Sequence, residues 1–183
     1  LERRYADHDG LNLTWETLEG LVKHNGPLLQ ADGAAMPKYA KRGVPAPILI
    51  FDEAAHLGLT TYASAEAQAA AIADDIAYNA HDLDDGLRAG LFDIADLRDV
   101  VFLRDIVDEI DRRHPGLERV RFIHEISRRV ITRLIENVIH SSEARIALRQ
   151  PQSADDVREA GEVTVSFSPD FVAVDRALKD FLF

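Results

Sequence analysis

The chain has 183 residues, 46% of them hydrophobic and 29% charged, with 10 glycines, 7 prolines and a formal charge of −11. That balance excludes a disordered chain and suits a soluble helical protein with a core of its own, one domain being the expectation for this length. The lack of cysteine excludes disulfides, thiolate metal sites and a cysteine nucleophile, and the net acidity argues against a surface that wraps nucleic acid, which needs clustered Lys and Arg.

No apolar run approaches the roughly 20 residues of a bilayer span, and no basic-then-apolar leader opens the chain, so a cytoplasmic protein is expected, with no membrane partner. The chain begins at Leu1 rather than Met and stops at Phe183 on an apolar helical pattern, which reads as a piece of a longer protein.

Thr14 is placed to cap a short helix on which Trp15, Leu18, Leu21 and Val22 share a face, with Gly26-Pro27 ending it near Lys23-His24. Trp15 on that face is expected to anchor the core. Residues 30–47, rich in Ala, Gly, Pro and Lys without sustained periodicity, read as a long exposed connection. Ser64 caps the next helix, which runs through an alanine-rich stretch to about Ala89 before Gly90 offers an exit. Asp93 caps a weaker helical segment carrying Val100, Leu103, Val107 and Ile110 until His114-Pro115-Gly116 breaks it.

A long helix is predicted over residues 117–148, where Ile123, Ile126, Val130, Leu134 and Ile135 recur mostly at three and four residues. Residues 150–161 read as a polar surface connection and residues 163–167 as a strand or extended segment. Ser168 or Asp170 then opens a last helix carrying Phe171, Val174, Leu178 and Phe181. The predicted class is all-α, without internal repeats.

The chemistry concentrates in the string Ala73-Asp74-Asp75-Ile76-Ala77-Tyr78-Asn79-Ala80-His81-Asp82-Leu83-Asp84-Asp85-Gly86. On a helix Asp74, Tyr78 and Asp82, four apart, are each displaced by about 40° and about 6 Å, and so form one ridge about 12 Å long. An acidic helix face is also what plain solvation produces. Against that stand the poor helix propensity of Asp and the repulsion of like charges one turn apart, such as Asp82 and Asp85.

This string, together with Tyr62-Ala63-Ser64-Ala65-Glu66-Ala67-Gln68, Leu11-Asn12-Leu13-Thr14-Trp15-Glu16 and Val22-Lys23-His24-Asn25-Gly26-Pro27, resembles the HD-domain dGTPase-like triphosphohydrolases. The resemblance covers the first half best. It implies an HD-domain-like helical bundle that hydrolyses a deoxynucleoside triphosphate to deoxynucleoside and inorganic triphosphate. It implies a divalent metal, Mg, Mn or another first-row ion, held by a His, a contiguous His-Asp pair and a later Asp.

Asp74 matches that later Asp, which makes it the expected metal ligand. Tyr78 inherits a place beside the sugar and phosphates, and Asp82 a contact to the sugar 3′-hydroxyl. Lys23, inside a family-like string, is the expected substrate-binding cation, whereas Lys38, Lys41 and Arg42 read as loop solubility. The family commonly forms homo-oligomers.

The N-terminal HD metal-motif segment has no counterpart here. His8-Asp9 opens a loop and His81-Asp82 follows Asp74, so neither matches the metal pair. No catalytic residue is therefore assigned, and residues 1–183, read as the C-terminal portion of such an enzyme, are expected to be inactive alone. His24 reads as a helix-end residue, and His56, His114, His124 and His140 lack a second His at ligand spacing. Arg112, Arg113, Arg119, Arg121, Arg128, Arg129 and Arg133 read as a solvated face paired with acids, with a subunit contact or an effector nucleotide site as the alternative. Two other readings remain: a regulatory HD-like nucleotide-binding protein, and a helical oligomerisation module.

Overall fold

The computed structural model describes residues 5–8 and 10–183, so Leu1 and Asp9 of the His8-Asp9 dipeptide lie outside the described residues. Among the described residues the secondary structure is helical, without a strand: α1 (Trp15–Lys23), α2 (Ala46–Ala55), α3 (Ala65–Ala89), α4 (Val101–Arg113), α5 (Arg119–Arg149), α6 (Ala154–Arg158) and α7 (Pro169–Leu182). The all-α class is as the periodicity predicts. The chain groups into two compact units, one ending at Ala71 and joined by Gln150–Thr164, the other made of Ile72–Arg149 and Val165–Phe183. None of the described helices is long and apolar enough to cross a membrane.

In the first unit α1 starts where Thr14 Oγ1 accepts the Thr17 N–H at 3.3 Å. Leu28, Leu57 and Leu59 form its buried centre, with Leu18, Val22, Ile48 and Phe51 packed around them. Residues 30–47 hold more structure than their composition suggests: Leu29 and Ala35 form an isolated antiparallel bridge, and Pro37–Tyr39 make a 3₁₀ turn.

Helix α2 has no clear periodic signature. Prolines at and just after its start preset the backbone, and His56 closes it in the left-handed region at φ 49. The Asp52 carboxylate accepts the Leu57 N–H at 2.6 Å, which fixes the following turn. Trp15 is corrected from core anchor to surface strap. It is 37% exposed, its Nε1 donates to the Ala55 carbonyl at 2.9 Å, and Arg158 lies 5.1 Å from its ring centre. In the predicted connection over 150–161, Ser153 and Asp156 form a reciprocal capping box that starts α6.

In the second unit Ile76, Leu83 and Leu87 of α3 pack with Leu103, Ile106 and Ile110 of α4, Phe122, Ile126, Val130 and Leu134 of α5, and Leu178 of α7. Helix α3 ends before Gly90 at φ 71, as the sequence predicts. Asp93 does not cap α4; instead the Asp96 carboxylate accepts the Asp93 N–H at 2.7 Å and a 3₁₀ turn precedes the helix. Residues 163–167 form no strand. The Arg145 guanidinium donates to the Ser166 and Phe167 carbonyls at 3.0 and 2.8 Å, so a side chain satisfies acceptors that a neighbouring strand would otherwise take. Ser168 caps α7 through the Phe171 N–H.

Gly86 sits where α3 meets Phe92: a Cβ there would lie 2.4 Å from two ring atoms. Overpacking of about 1–3 kcal/mol outweighs the helix-propensity gain of about 1 kcal/mol from replacing glycine. Gly86→Ala is therefore expected to lower the midpoint of urea unfolding, and a raised midpoint would show that Phe92 moves aside freely.

Candidate functional site

The phase of α3 decides which members of the acidic string are free to act. Ile76, Ala80, Leu83 and Leu87 face the core, and the buried Asn79 donates to Asp175 Oδ1 at 2.7 Å. The opposite face carries Asp74, Tyr78, His81 and Asp85 exposed and Asp82 half-buried. Tyr78 is 62% exposed, unusual for a large aromatic without a packing role.

The aspartates divide by partner. Asp84 is committed: Arg88 forms an ion pair with it and Ser127 Oγ donates to it at 3.2 Å. The Arg88 hydrogen bond holds the Asp84 carboxyl below its ordinary range, against partial burial, and Ser127 adds to the effect. Asp75 lies 3.8 Å from the Lys179 ammonium. Asp74, Tyr78 and Asp82 take no hydrogen bond or ion pair among the described residues. The structure thus brings three of the four expected site residues onto one unpartnered ridge.

Lys23 belongs to the first unit and is 1% exposed. Its ammonium lies 2.8 Å from Glu19 Oε1 and donates to the Gly58 carbonyl at 3.1 Å and Thr61 Oγ1 at 3.0 Å. Three acceptors satisfy its three N–H groups, so in this geometry it holds protein and not phosphate. Burial lowers its pKa, while Glu19 opposes that shift.

The described residues bring no three His, Asp or Glu side chains together at a geometry that would hold a metal ion. The donors present therefore do not fit a divalent cation by themselves, since such an ion takes several ligands.

The arginine-rich second half resolves largely into ion pairs. Arg133 reaches Glu109 at 2.5 Å, Arg119 reaches Asp93 at 2.7 Å, Arg128 reaches Glu125 at 2.6 Å, and Arg129 bridges Glu109 and Glu125. Hydrogen bonds from Arg128 and Arg129 take the Glu125 pKa from its ordinary 4.5 to about 2. A depressed carboxylate adds stability above its unfolded pKa and loses it as the pH falls through the folded value. The stability advantage of the native protein over Glu125→Gln is thus expected to be full at pH 6 and to vanish between about pH 5 and pH 2. A pH-independent difference in urea midpoints would refute the pairing.

Sequence reasoning missed a cleft in the first unit, lined by Gln30, Met36, Thr60, Tyr62 and Arg158 among others. Its residues come from three separated segments, and no spacing rule connects them.

No family model matches the chain. Over all 183 residues it is 53% identical to the deoxyguanosinetriphosphate triphosphohydrolase-like protein of Allorhizobium ampelinum, and 54% identical to those of Rhizobium johnstonii and Brucella anthropi. Along its whole length the chain is similar to proteins named deoxyguanosinetriphosphate triphosphohydrolase-like. The chain spans 44% of the length of each of those relatives, and the similarity extends over both of its units and every helix described above.

Proposed function

We propose that the whole protein containing this dGTPase-like chain hydrolyses deoxynucleoside triphosphates to deoxynucleoside and inorganic triphosphate with a divalent metal. Asp74 contributes one metal ligand, the Tyr78 ring lies beside the sugar and phosphates, and Asp82 accepts a hydrogen bond from the sugar hydroxyl. The observation that carries this reading is the Asp74–Tyr78–Asp82 ridge: exposed or half-buried, without a hydrogen-bond or ion-pair partner among the described residues, and set four residues apart on one helix. A merely solvated face has no need of an exposed tyrosine between two unpaired aspartates.

Lys23 is held by Glu19, Gly58 and Thr61 and makes no direct nucleotide contact in this reading. The remaining metal ligands come from outside these 183 residues. The test is release of inorganic triphosphate from each dNTP by the full-length protein with Mn²⁺ or Mg²⁺, beside the 183-residue chain. Release by the full-length protein alone is expected. Silence in both, with effector dNTPs added, would favour a regulatory nucleotide-binding protein.

A further inference from the structure

The cleft in the first unit has a volume of about 490 Å³, within the usual range for small-molecule sites. Pro27, Leu29 and Met36 give it apolar walls, and Gln30, Thr60 and Tyr62 give it polar ones. Gln30 Nε2 donates to the Ala35 carbonyl at 3.0 Å, which aims the amide while leaving its oxygen open. The hydroxyls of Thr60 and Tyr62 take no protein hydrogen bond among the described residues.

The walls are pinned to one another. Leu28 and Leu29 N–H groups donate to the Leu59 carbonyl at 2.8 and 3.0 Å, and the Tyr62 N–H donates to the Arg158 carbonyl at 3.0 Å. Beneath them the fully buried Glu19 carboxylate receives Lys23 at 2.8 Å and Arg158 Nε at 2.9 Å. Lys23 holds the wall at Thr61, and Arg158 is itself part of the opposite wall. A buried ion pair adds little net stability once desolvation is counted, and fixing this geometry gives the hub a use.

Charge selects the ligand class. Among the described residues Arg158 is the one cation lining the cleft, its guanidinium is taken by Glu19 and Asp155, and Glu159 adds a negative charge. Among the described residues a triphosphate has no free cation to meet there. A neutral heterocycle can lay its face on Tyr62 and Met36 and turn amide-like edges to Gln30 and Thr60.

Resting on the nucleotide reading above, we propose that this cleft binds an uncharged deoxynucleoside through its base, with phosphates taking no part. The test is equilibrium dialysis of deoxyguanosine and deoxyadenosine against the full-length protein, with inorganic triphosphate as competitor. Gln30→Ala and Thr60→Val, both at exposed positions that leave the fold intact, are each expected to weaken binding about 3–10-fold, the worth of one hydrogen bond. Triphosphate is expected not to compete. Unchanged affinity in both variants, or displacement by triphosphate, would overturn the proposal. Binding that depends on Gln30 and Thr60 in a protein that releases no triphosphate would uphold the cleft and remove only the hydrolase reading.

Discussion

Asp74→Ala in the full-length protein is expected to abolish triphosphate release from dNTPs, a fall of about 10³-fold or more if the lost ligand is worth several kcal/mol. The fold gives no other reason for such a loss. Asp74 is exposed, makes no hydrogen bond or ion pair among the described residues, and sits inside α3, where alanine is the better helix former by about 0.7 kcal/mol or less. The variant should therefore unfold at an equal or higher temperature than the parent while losing its turnover. Asp85→Ala, in the same acidic string, provides the matched control: it is exposed too, and should leave release unchanged. Equal activity in both variants would reduce the string to a solvated face. A direct count of bound metal per chain would separate loss of the ion from loss of chemistry.

Glu19→Gln should be the most damaging conservative change in the first unit. Its carboxylate is fully buried between Lys23 and Arg158, which approach it at 2.8 and 2.9 Å. Neutralising it leaves Lys23 without an ion-pair partner and Arg158 with Asp155 alone, and breaking a buried pair in this way costs about 3–5 kcal/mol. Lys23→Met should cost less, because Glu19 keeps its contacts to Nε and Nη2 of Arg158. The order of urea midpoints is the measurement: parent highest, Lys23→Met between, Glu19→Gln lowest. The same pair of variants bears on the phosphate assignment made for Lys23 from sequence. A lysine that contacts substrate directly would raise KM on replacement with little change in stability, whereas the buried geometry predicts that stability falls first.

The long helices were legible because local chemistry and burial agree there. Ser64 and Gly90 bracket α3, and the three- and four-residue recurrence of Ile123, Ile126, Val130 and Leu134 matches the face that α5 buries. Legibility fails where backbone groups are satisfied by distant side chains. Residues 163–167 alternate like a strand, but Arg145 takes their carbonyls. Helix α2 begins on prolines and closes on a left-handed histidine, neither of which leaves a periodic trace. The ridge at Asp74, Tyr78 and Asp82 could be placed on one face because helical spacing alone fixes it. Lys23 could not be placed the same way: its burial depends on Gly58 and Thr61, about 35 residues further along the chain, and on Glu19, whose own depth the pattern hides.

Trp15 is the single tryptophan in the chain. Its indole is tied to Ala55 and lies under the Arg158 guanidinium, all within the first unit. Intrinsic tryptophan emission from this chain therefore carries information about that unit alone. Circular dichroism at 222 nm, by contrast, is weighted toward the 25- and 31-residue helices α3 and α5. The molecule comes with two optical probes already assigned to different parts of it, and their coincidence or divergence during unfolding reads out the cooperativity between those parts without any label.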